Sequence, residues 1–286
     1  MPRVLVTGAG GLLGSVIAAE FALGALVEAA GRREIDVTDE RAVHGAVGRF
    51  RPDLLINCAA YNDVDAAEDA ASHALAVNAF AVLALARAAA AKGAVFVHYS
   101  TDFVFDGETA RPYEEGDRPR PLNVYAASKL LGEWFAAEAP RHYVLRVESL
   151  FGPPAASGGR RGSVGTIVDR LGRAEEVPVF VDRTVSPAFT IDVASATRRL
   201  VESSAPFGTY HCVNDGAATW REVAEEAARL LGVEPRIRAL TLETAALRAA
   251  RPRYCALSPA RLASLGIVMP PWQDAVARFL KGPYAK

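Results

Sequence analysis

Three features of the sequence predict an α/β chain built on a doubly wound parallel sheet, with a smaller and less regular C-terminal substrate subdomain. Short β-rich runs alternate with longer Ala/Leu runs through the first hundred residues. The β-rich runs are continuously apolar, as strands are when helices cover both faces of a sheet. A glycine cluster stands directly between the first strand and the first helix.

Taken in order, residues 4–7 read as a strand and residues 12–23 as a helix. A second strand contains Glu28 and ends before Gly31, and Leu54-Leu55-Ile56-Asn57 forms a third. Residues 70–91 read as a long Ala-rich helix, 95–100 as a strand, and 143–146 as another. The rhythm then loosens: residues 151–165 are rich in Gly, Pro and Ser and predict an irregular loop. Beyond it come a strand over 209–213 and helices over 219–231 and 272–280. The expected division is a dinucleotide-binding part over 1–150 and a mainly substrate-binding part over 151–286. Part of 185–213 is expected to return to the main sheet.

Composition narrows the function classes. A chain of 286 residues, 51% hydrophobic and 23% charged, can bury a large core. Its formal charge of -1 gives no basic excess to hold nucleic acid. Cys58, Cys212 and Cys255 are widely spaced, odd in number and free of metal-ligand spacing, which predicts a reducing cytoplasm and no metal site. No export signal is expected, and the Ala-rich stretch is interrupted by Glu68, Asp69, His73, Asn78 and Arg87, so no membrane span is expected either.

The sequence Thr7-Gly8-Ala9-Gly10-Gly11-Leu12-Leu13-Gly14 spaces Gly8, Gly11 and Gly14 as GxxGxxG. Its strand-loop-helix setting predicts a Rossmann-type loop in which backbone N–H groups and the helix dipole meet a pyrophosphate. An acidic residue about twenty positions on would bind NAD ribose, but Glu28 falls inside the second strand. Arg32 or Arg33, just past that strand, favours the extra phosphate of NADP(H), unless both are simply solvated surface arginines.

Tyr125 and Lys129 lie four apart in a helical segment and share a face. An ammonium beside a phenol favours the phenolate and brings an otherwise weak acid-base group into useful range. Lysine is scarce here (Lys92, Lys129, Lys281, Lys286), which argues against Lys129 as a filler cation. Upstream, Ser100-Thr101-Asp102 ends a strand, where sites of doubly wound sheets lie, and a hydroxyl from Thr101 or Ser100 can stabilise charge on a substrate oxygen.

Many segments in one order resemble the extended short-chain dehydrogenase/reductases, specifically the dTDP-4-dehydrorhamnose reductase family. These are TGAGGLLG at Thr7, IDVTD at Ile35, PDLLINCAAYNDVDAAE at Pro52, AVN at Ala76, STDFVFDG at Ser100, YAASKLLGE at Tyr125, LRVESLFG at Leu145 and RPRYCALS at Arg251. The resemblance implies reduction of a 4-keto-6-deoxyhexose carried on a nucleoside diphosphate, with hydride from NADPH or possibly NADH, as in dTDP-rhamnose biosynthesis. It implies Thr101, Tyr125 and Lys129 as the catalytic set. The glycine loop (Gly8, Gly11, Leu12, Leu13, Gly14), Asp36, Val37, Ala59, Ala60, Tyr61 and Lys129 would bind cofactor. Asn62, Ser100, Asp102, Phe103, Ser149 and Arg251 would face substrate. It admits a homodimer, and some relatives hold magnesium at a subunit interface.

The chain departs from the family where the sugar is handled. Phe103 replaces the tyrosine of STDYVFDG, Asn62 a common threonine, and Ser149 a tryptophan, while Val185-Ser186-Pro187-Ala188 stands for GSPT. Alternatives are another nucleotide-sugar epimerase or dehydratase, the latter disfavoured because Phe103 occupies the place of its glutamate. A third is a non-catalytic NADP-binding regulatory subunit like the beta subunit of methionine adenosyltransferase. Arginines available for a diphosphate are Arg146, Arg160, Arg161, Arg183, Arg251 and Arg253.

Overall fold

A computed structural model describes residues 1–154, 162–203 and 205–282. The chain begins with β1 (Arg3–Thr7), α1 (Leu12–Ala22), β2 (Leu26–Ala30), α2 (Glu40–Phe50) and β3 (Leu54–Asn57). There follow α3 (Ala66–Asp69), α4 (Ala71–Leu75), a π-helical turn (Ala76–Phe80), α5 (Ala81–Ala90), β4 (Val95–Thr101), α6 (Val124–Ala136) and β5 (His142–Val147). With β10 (Gly208–His211), strands β1 to β5 form one six-stranded sheet in the order β10-β5-β4-β3-β1-β2. Every neighbouring pair in it is parallel. The strand order reverses between β1 and β3, which opens a crevice at the carboxyl ends of the strands. Burial explains the sequence pattern: β3 is buried at all four positions, because helices cover both faces.

Local chemistry sets the helix starts. Asp39 accepts hydrogen bonds from the N–H groups of Arg41 and Ala42 and so caps α2. Asn123 accepts from Ala126 N at 2.7 Å, which starts α6 just before Tyr125. The single long helix expected over 70–91 is instead interrupted by the π turn around Asn78. Asn78 is wholly buried and hydrogen-bonds to Tyr61 and Ser128 rather than leaving the core, and a widened turn accommodates it. The run Ala71–Ala90 is long and apolar enough to cross a membrane by composition, yet 56% of its most apolar 18-residue stretch is buried within the fold, as in a core helix.

The second half contains β6 (Leu150–Phe151), α7 (Gly162–Gly172), β7 (Val177–Phe180), β8 (Thr184–Val185), β9 (Ala188–Phe189) and α8 (Thr190–Glu202). After β10 come β11 (Ala218–Thr219), α9 (Trp220–Leu231), β12 (Ile237–Leu240), α10 (Ala260–Ser264) and α11 (Trp272–Lys281). The irregular loop expected over 151–165 already gives way to helix at Gly162, where Val164 and Ile167 bury an apolar stripe. Three two-stranded pairs, β6-β9, β7-β12 and β8-β11, replace a large sheet here. Phe151, Phe189 and Phe279 pack together with ring centroids 5.3 to 6.3 Å apart. Around them lie Trp220, Val223 and Trp272 from α9 and α11.

Candidate active site

The glycine loop closes on itself in a way that only glycine permits. Gly8 has φ 69°, and a Cβ there would lie 2.4 Å from Ala59 N. A Cβ on Gly14 would lie 2.3 Å from the Gly8 carbonyl oxygen, so the first turn of α1 and the loop touch backbone to backbone. A Cβ on Gly10, by contrast, would meet nothing within 4 Å. Thr7 and Asn57 brace the loop from below: Thr7 Oγ1 donates to Asn57 Oδ1 at 2.8 Å, and that oxygen also accepts from Ala59 N at 3.1 Å. Asn57 Nδ2 then points to His98 Nδ1 at 3.1 Å. The N–H groups at the start of α1 therefore face open space on a rigid base, and the cradle fits a pyrophosphate.

Two contiguous cavities lie on either side of this loop and share Gly11, Cys58, Ala59, Ala60 and Asn62 as walls. The smaller, of about 420 Å³, is lined by Gly8, Arg32, Asp36, Val37 and Tyr61. Arg32 is thus at hand for a phosphate, while exposed Arg33 does not line either cavity, so the pair is not interchangeable. The Asp36 carboxylate accepts from Thr38 N at 3.0 Å and Thr38 Oγ1 at 2.7 Å, bonds that hold its pKa below the usual range and fix the turn. Tyr61 is held by Asn78, whose side chain pairs with both its N–H and its carbonyl.

The larger cavity, of about 630 Å³, is lined by Leu12, Leu13 and Gly14 on one side and by Ser100, Thr101, Asp102, Phe103, Tyr125 and Lys129 on the other. Ser149 and Asn62 also reach it, as do Ser163, Thr166, Phe180 and Trp220 from the second half. Lys129 is 2% exposed and donates to the Tyr99 carbonyl oxygen at 2.5 Å. Burial pushes its pKa down to about 8, against the opposing field of Glu133. The sequence reading expected an ammonium to depress the Tyr125 pKa. Instead burial raises it, Asp102 adds to the rise, and only a hydrogen bond with Thr101 opposes it. The phenol is therefore fully protonated at neutral pH and can act as a donor to a stronger base such as an alkoxide.

Other expected residues take different places. Ser100 Oγ donates to Glu133 Oε1 at 2.6 Å and serves the frame more than the cavity. Arg146 is closed in a buried bidentate pair with Glu133, at 2.8 and 2.7 Å, and is not free for a diphosphate. Arg251 does not line the cavity; it pairs with Asp65 at 3.0 Å and lies 5.7 Å from the Phe103 ring centroid. Arg253 lies 3.9 Å from Asp182 and is 68% exposed. Arg160 and Arg161 lie outside the described residues. Arg183, which the sequence marked only as one arginine among six, lines the cavity beside Phe103, 5.5 Å from its ring centroid. Glu133, Asn78, Asn57 and Glu148 went unassigned in the sequence reading. Asn78 alone carried a signal, as the polar residue inside an apolar helical run.

A dinucleotide cradle beside a buried Thr-Tyr-Lys set defines an oxidoreductase of the short-chain dehydrogenase/reductase class. The chain matches the family model described as RmlD substrate binding domain over residues 2–284 and belongs to that family. It is 38% identical over 274 residues to a dTDP-4-dehydrorhamnose reductase of Streptomyces griseus, covering 93% of this chain and 88% of that one. It is 34% identical to a probable dTDP-4,6-dihydroxy-2-methyloxan-3-one 4-ketoreductase of Streptomyces antibioticus, covering 96% and 93%. The fold superposes with a TM-score of 0.92 on the crystal structure of dTDP-4-dehydrorhamnose reductase from Bacillus anthracis str. Ames in complex with NADP. That structure is 30% identical, and the match covers 98% of this chain and 99% of that one.

Proposed function

We propose that this chain reduces the 4-keto group of a deoxyhexose linked to a nucleoside diphosphate, dTDP in the first instance, and that its cofactor is NADPH. The observation that carries this reading is that Thr101, Tyr125 and Lys129 line the same cavity as Leu12, Leu13 and Gly14. When bound, NADPH supplies the hydride. Gly8, Gly11 and Gly14 hold its pyrophosphate, Arg32 the ribose phosphate, and Asp36, Val37, Ala59, Ala60 and Tyr61 line the adenosine side. Lys129 holds the nicotinamide ribose. Thr101 hydrogen-bonds the sugar oxygen, and Tyr125 gives its phenolic proton to that oxygen as negative charge develops there. Phe103, Asn62 and Ser149 shape the sugar pocket, and Arg183 faces the anionic part of the substrate more directly than Arg251.

Residues 1–150 make the dinucleotide-binding part and 151–286 mainly the substrate-binding part, with part of 185–213 rejoining the sheet. Support comes from β10, which pairs with β5, and from the cavity walls at Thr166 and Phe180. The enzyme works in the cytoplasm, in keeping with its three free cysteines. A homodimer rests on the family resemblance alone, and light scattering checks it.

The test is incubation with NADPH and a panel of nucleotide-linked keto sugars, followed by loss of reduced-cofactor absorbance. Turnover of a nucleotide-linked 4-keto sugar, with poor turnover of the free sugar, is expected, because remote binding energy orients the reacting carbon. No turnover with any of them, together with co-purification with a second enzyme, contradicts the reading in favour of a regulatory subunit.

A further inference from the structure

Behind the Thr101 end of the cavity, the carboxyls of Asp102 and Glu148 and the thiol of Cys255 place one atom each within 4.8 Å of one another. All three residues are buried, and Arg183 stands beside them. Arg183 directs Nε to the Pro252 carbonyl oxygen at 3.2 Å and Nη2 to Cys255 Sγ at 3.3 Å. The two carboxyls are not equivalent. Asp102 Oδ1 accepts the Thr101 hydroxyl hydrogen at 2.8 Å, as an ionised carboxylate does. Glu148 Oε2 accepts from Ser186 N at 2.6 Å, while its Oε1 is buried without a partner. A bare carboxylate oxygen in that position is costly, and protonation removes that charge beside the Asp102 carboxyl, which lies within 4.8 Å. One guanidinium, one carboxylate and one neutral carboxyl also leave the buried cluster without net charge.

Thr101 in turn lines the cavity with Tyr125 and lowers the phenol's pKa. Glu148, Asp102, Thr101 and the phenol therefore stand in order as exchangeable groups, with Asp102 and Thr101 joined by a hydrogen bond and the Glu148 and Asp102 carboxyls within 4.8 Å. We propose that Glu148 stores the proton that reloads Tyr125 after each reduction. The proposal rests on the reading of Tyr125 as the proton donor. Once Tyr125 has given its proton to the sugar oxygen, the Thr101 O–H bond breaks toward the phenolate. Asp102, ionised at rest, takes the proton released as the Glu148 O–H bond breaks and passes it to Thr101 Oγ1. The net result is a neutral phenol and an ionised Glu148, which regains its proton from water when product leaves. The groups that set this balance are Arg183, Cys255 and Tyr254 around the cluster, and Tyr125 at its far end. Burial, with the Asp102 charge adding to it and Arg183 opposing it, raises the Glu148 pKa well above the usual carboxylate range; burial raises that of Asp102 to about 6 against Arg183 and the Thr101 and Cys255 hydrogen bonds. Glu148 is thus a positioning residue for a proton and touches neither substrate nor cofactor.

Glu148→Gln keeps the shape and removes the exchangeable proton. With enzyme in excess, its first turnover of NADPH is expected to match the parent, because Tyr125 starts loaded. Its steady-state kcat is expected to fall roughly tenfold or more, with KM for NADPH unchanged, and Glu148→Asp is expected to recover most of the loss. In the unsubstituted protein, infrared spectroscopy at neutral pH is expected to show a protonated-carboxyl band, a readout that holds even if the glutamine variant does not fold. A parental steady-state kcat in Glu148→Gln, or no such band, overturns the relay. If Tyr125→Phe is inactive while Glu148→Gln is fully active, the relay alone has failed. If Tyr125→Phe is fully active, the donor assignment beneath it has failed as well.

Discussion

The Lys129 ammonium is anchored 2.5 Å from the main-chain oxygen of Tyr99, which ties α6 to the end of β4 one helical turn beyond Tyr125. This contact fixes the lysine at the meeting point of the two cavity walls, and burial brings its pKa down to about 8.

Lys129 therefore loses its charge as pH rises through about 8. NADPH affinity of the free enzyme is expected to weaken above that pH, and Lys129→Ala to weaken it at all pH values and to remove the step. Fluorescence titration of both proteins across that range checks this. An unchanged affinity in Lys129→Ala contradicts the assignment.

Arg32 lines the smaller cavity and Arg33 does not. Arg32→Ala is expected to cost roughly tenfold to a hundredfold in NADPH affinity while leaving NADH affinity nearly unchanged. Arg33→Ala is expected to change neither. Calorimetric titration of both cofactors against each variant distinguishes a phosphate contact from a solvated arginine.

The two glycines of the loop predict opposite behaviours. A methyl on Gly14 meets the Gly8 carbonyl at 2.3 Å, so Gly14→Ala is expected to cost about 1–3 kcal/mol of stability and to disturb the cradle. A methyl on Gly10 meets no atom within 4 Å yet projects from a residue that lines the smaller cavity. Gly10→Ala is expected to keep the parental melting temperature and lose cofactor affinity, and thermal melts with and without NADPH check both.

His211 supplies a pH signature of the fold. Its Nδ1 donates to the Tyr113 carbonyl at 3.0 Å and its Nε2 accepts from Arg146 at 3.4 Å, so the ring is held neutral. Burial first, then the Arg146 charge, lowers its pKa from 6.5 to about 3. Because the folded value is depressed, the unfolded chain binds the extra proton, and this stability is present above about pH 6.5 and lost as pH falls toward 3. The loss is about 2 kcal/mol at about pH 5. The raised pKa of Asp102 acts in the opposite direction, so the measurement is the stability gap between parent and His211→Asn. That gap is expected to narrow on acidification, and a constant gap contradicts it.

The sheet was legible because each strand is a short apolar run between turn residues, and β3 matched its expected span of 54–57. The Thr101, Tyr125 and Lys129 set was legible because the lysine lies one helical turn from the tyrosine and the threonine ends a strand. What escaped was pairing across the fold. Arg146 is a plausible phosphate ligand in sequence, but Glu133, 13 residues away, closes on it inside the core. The sequence favours Arg251 over Arg183, yet Asp65, far away in the chain, pairs with Arg251 while Arg183 lines the cavity. The Tyr125 pKa went the other way from expectation because burial, invisible in a YxxxK spacing, outweighs a nearby charge.

The assignment of Tyr125 as proton donor is tested most directly by the turnover of Tyr125→Phe with NADPH and a nucleotide-linked 4-keto sugar, measured beside its NADPH affinity. The phenol lines the same cavity as Thr101 and is 8% exposed. Its loss is expected to lower kcat roughly a hundredfold to ten-thousandfold while leaving cofactor binding almost intact. A Tyr125→Phe enzyme with parental kcat would contradict the account.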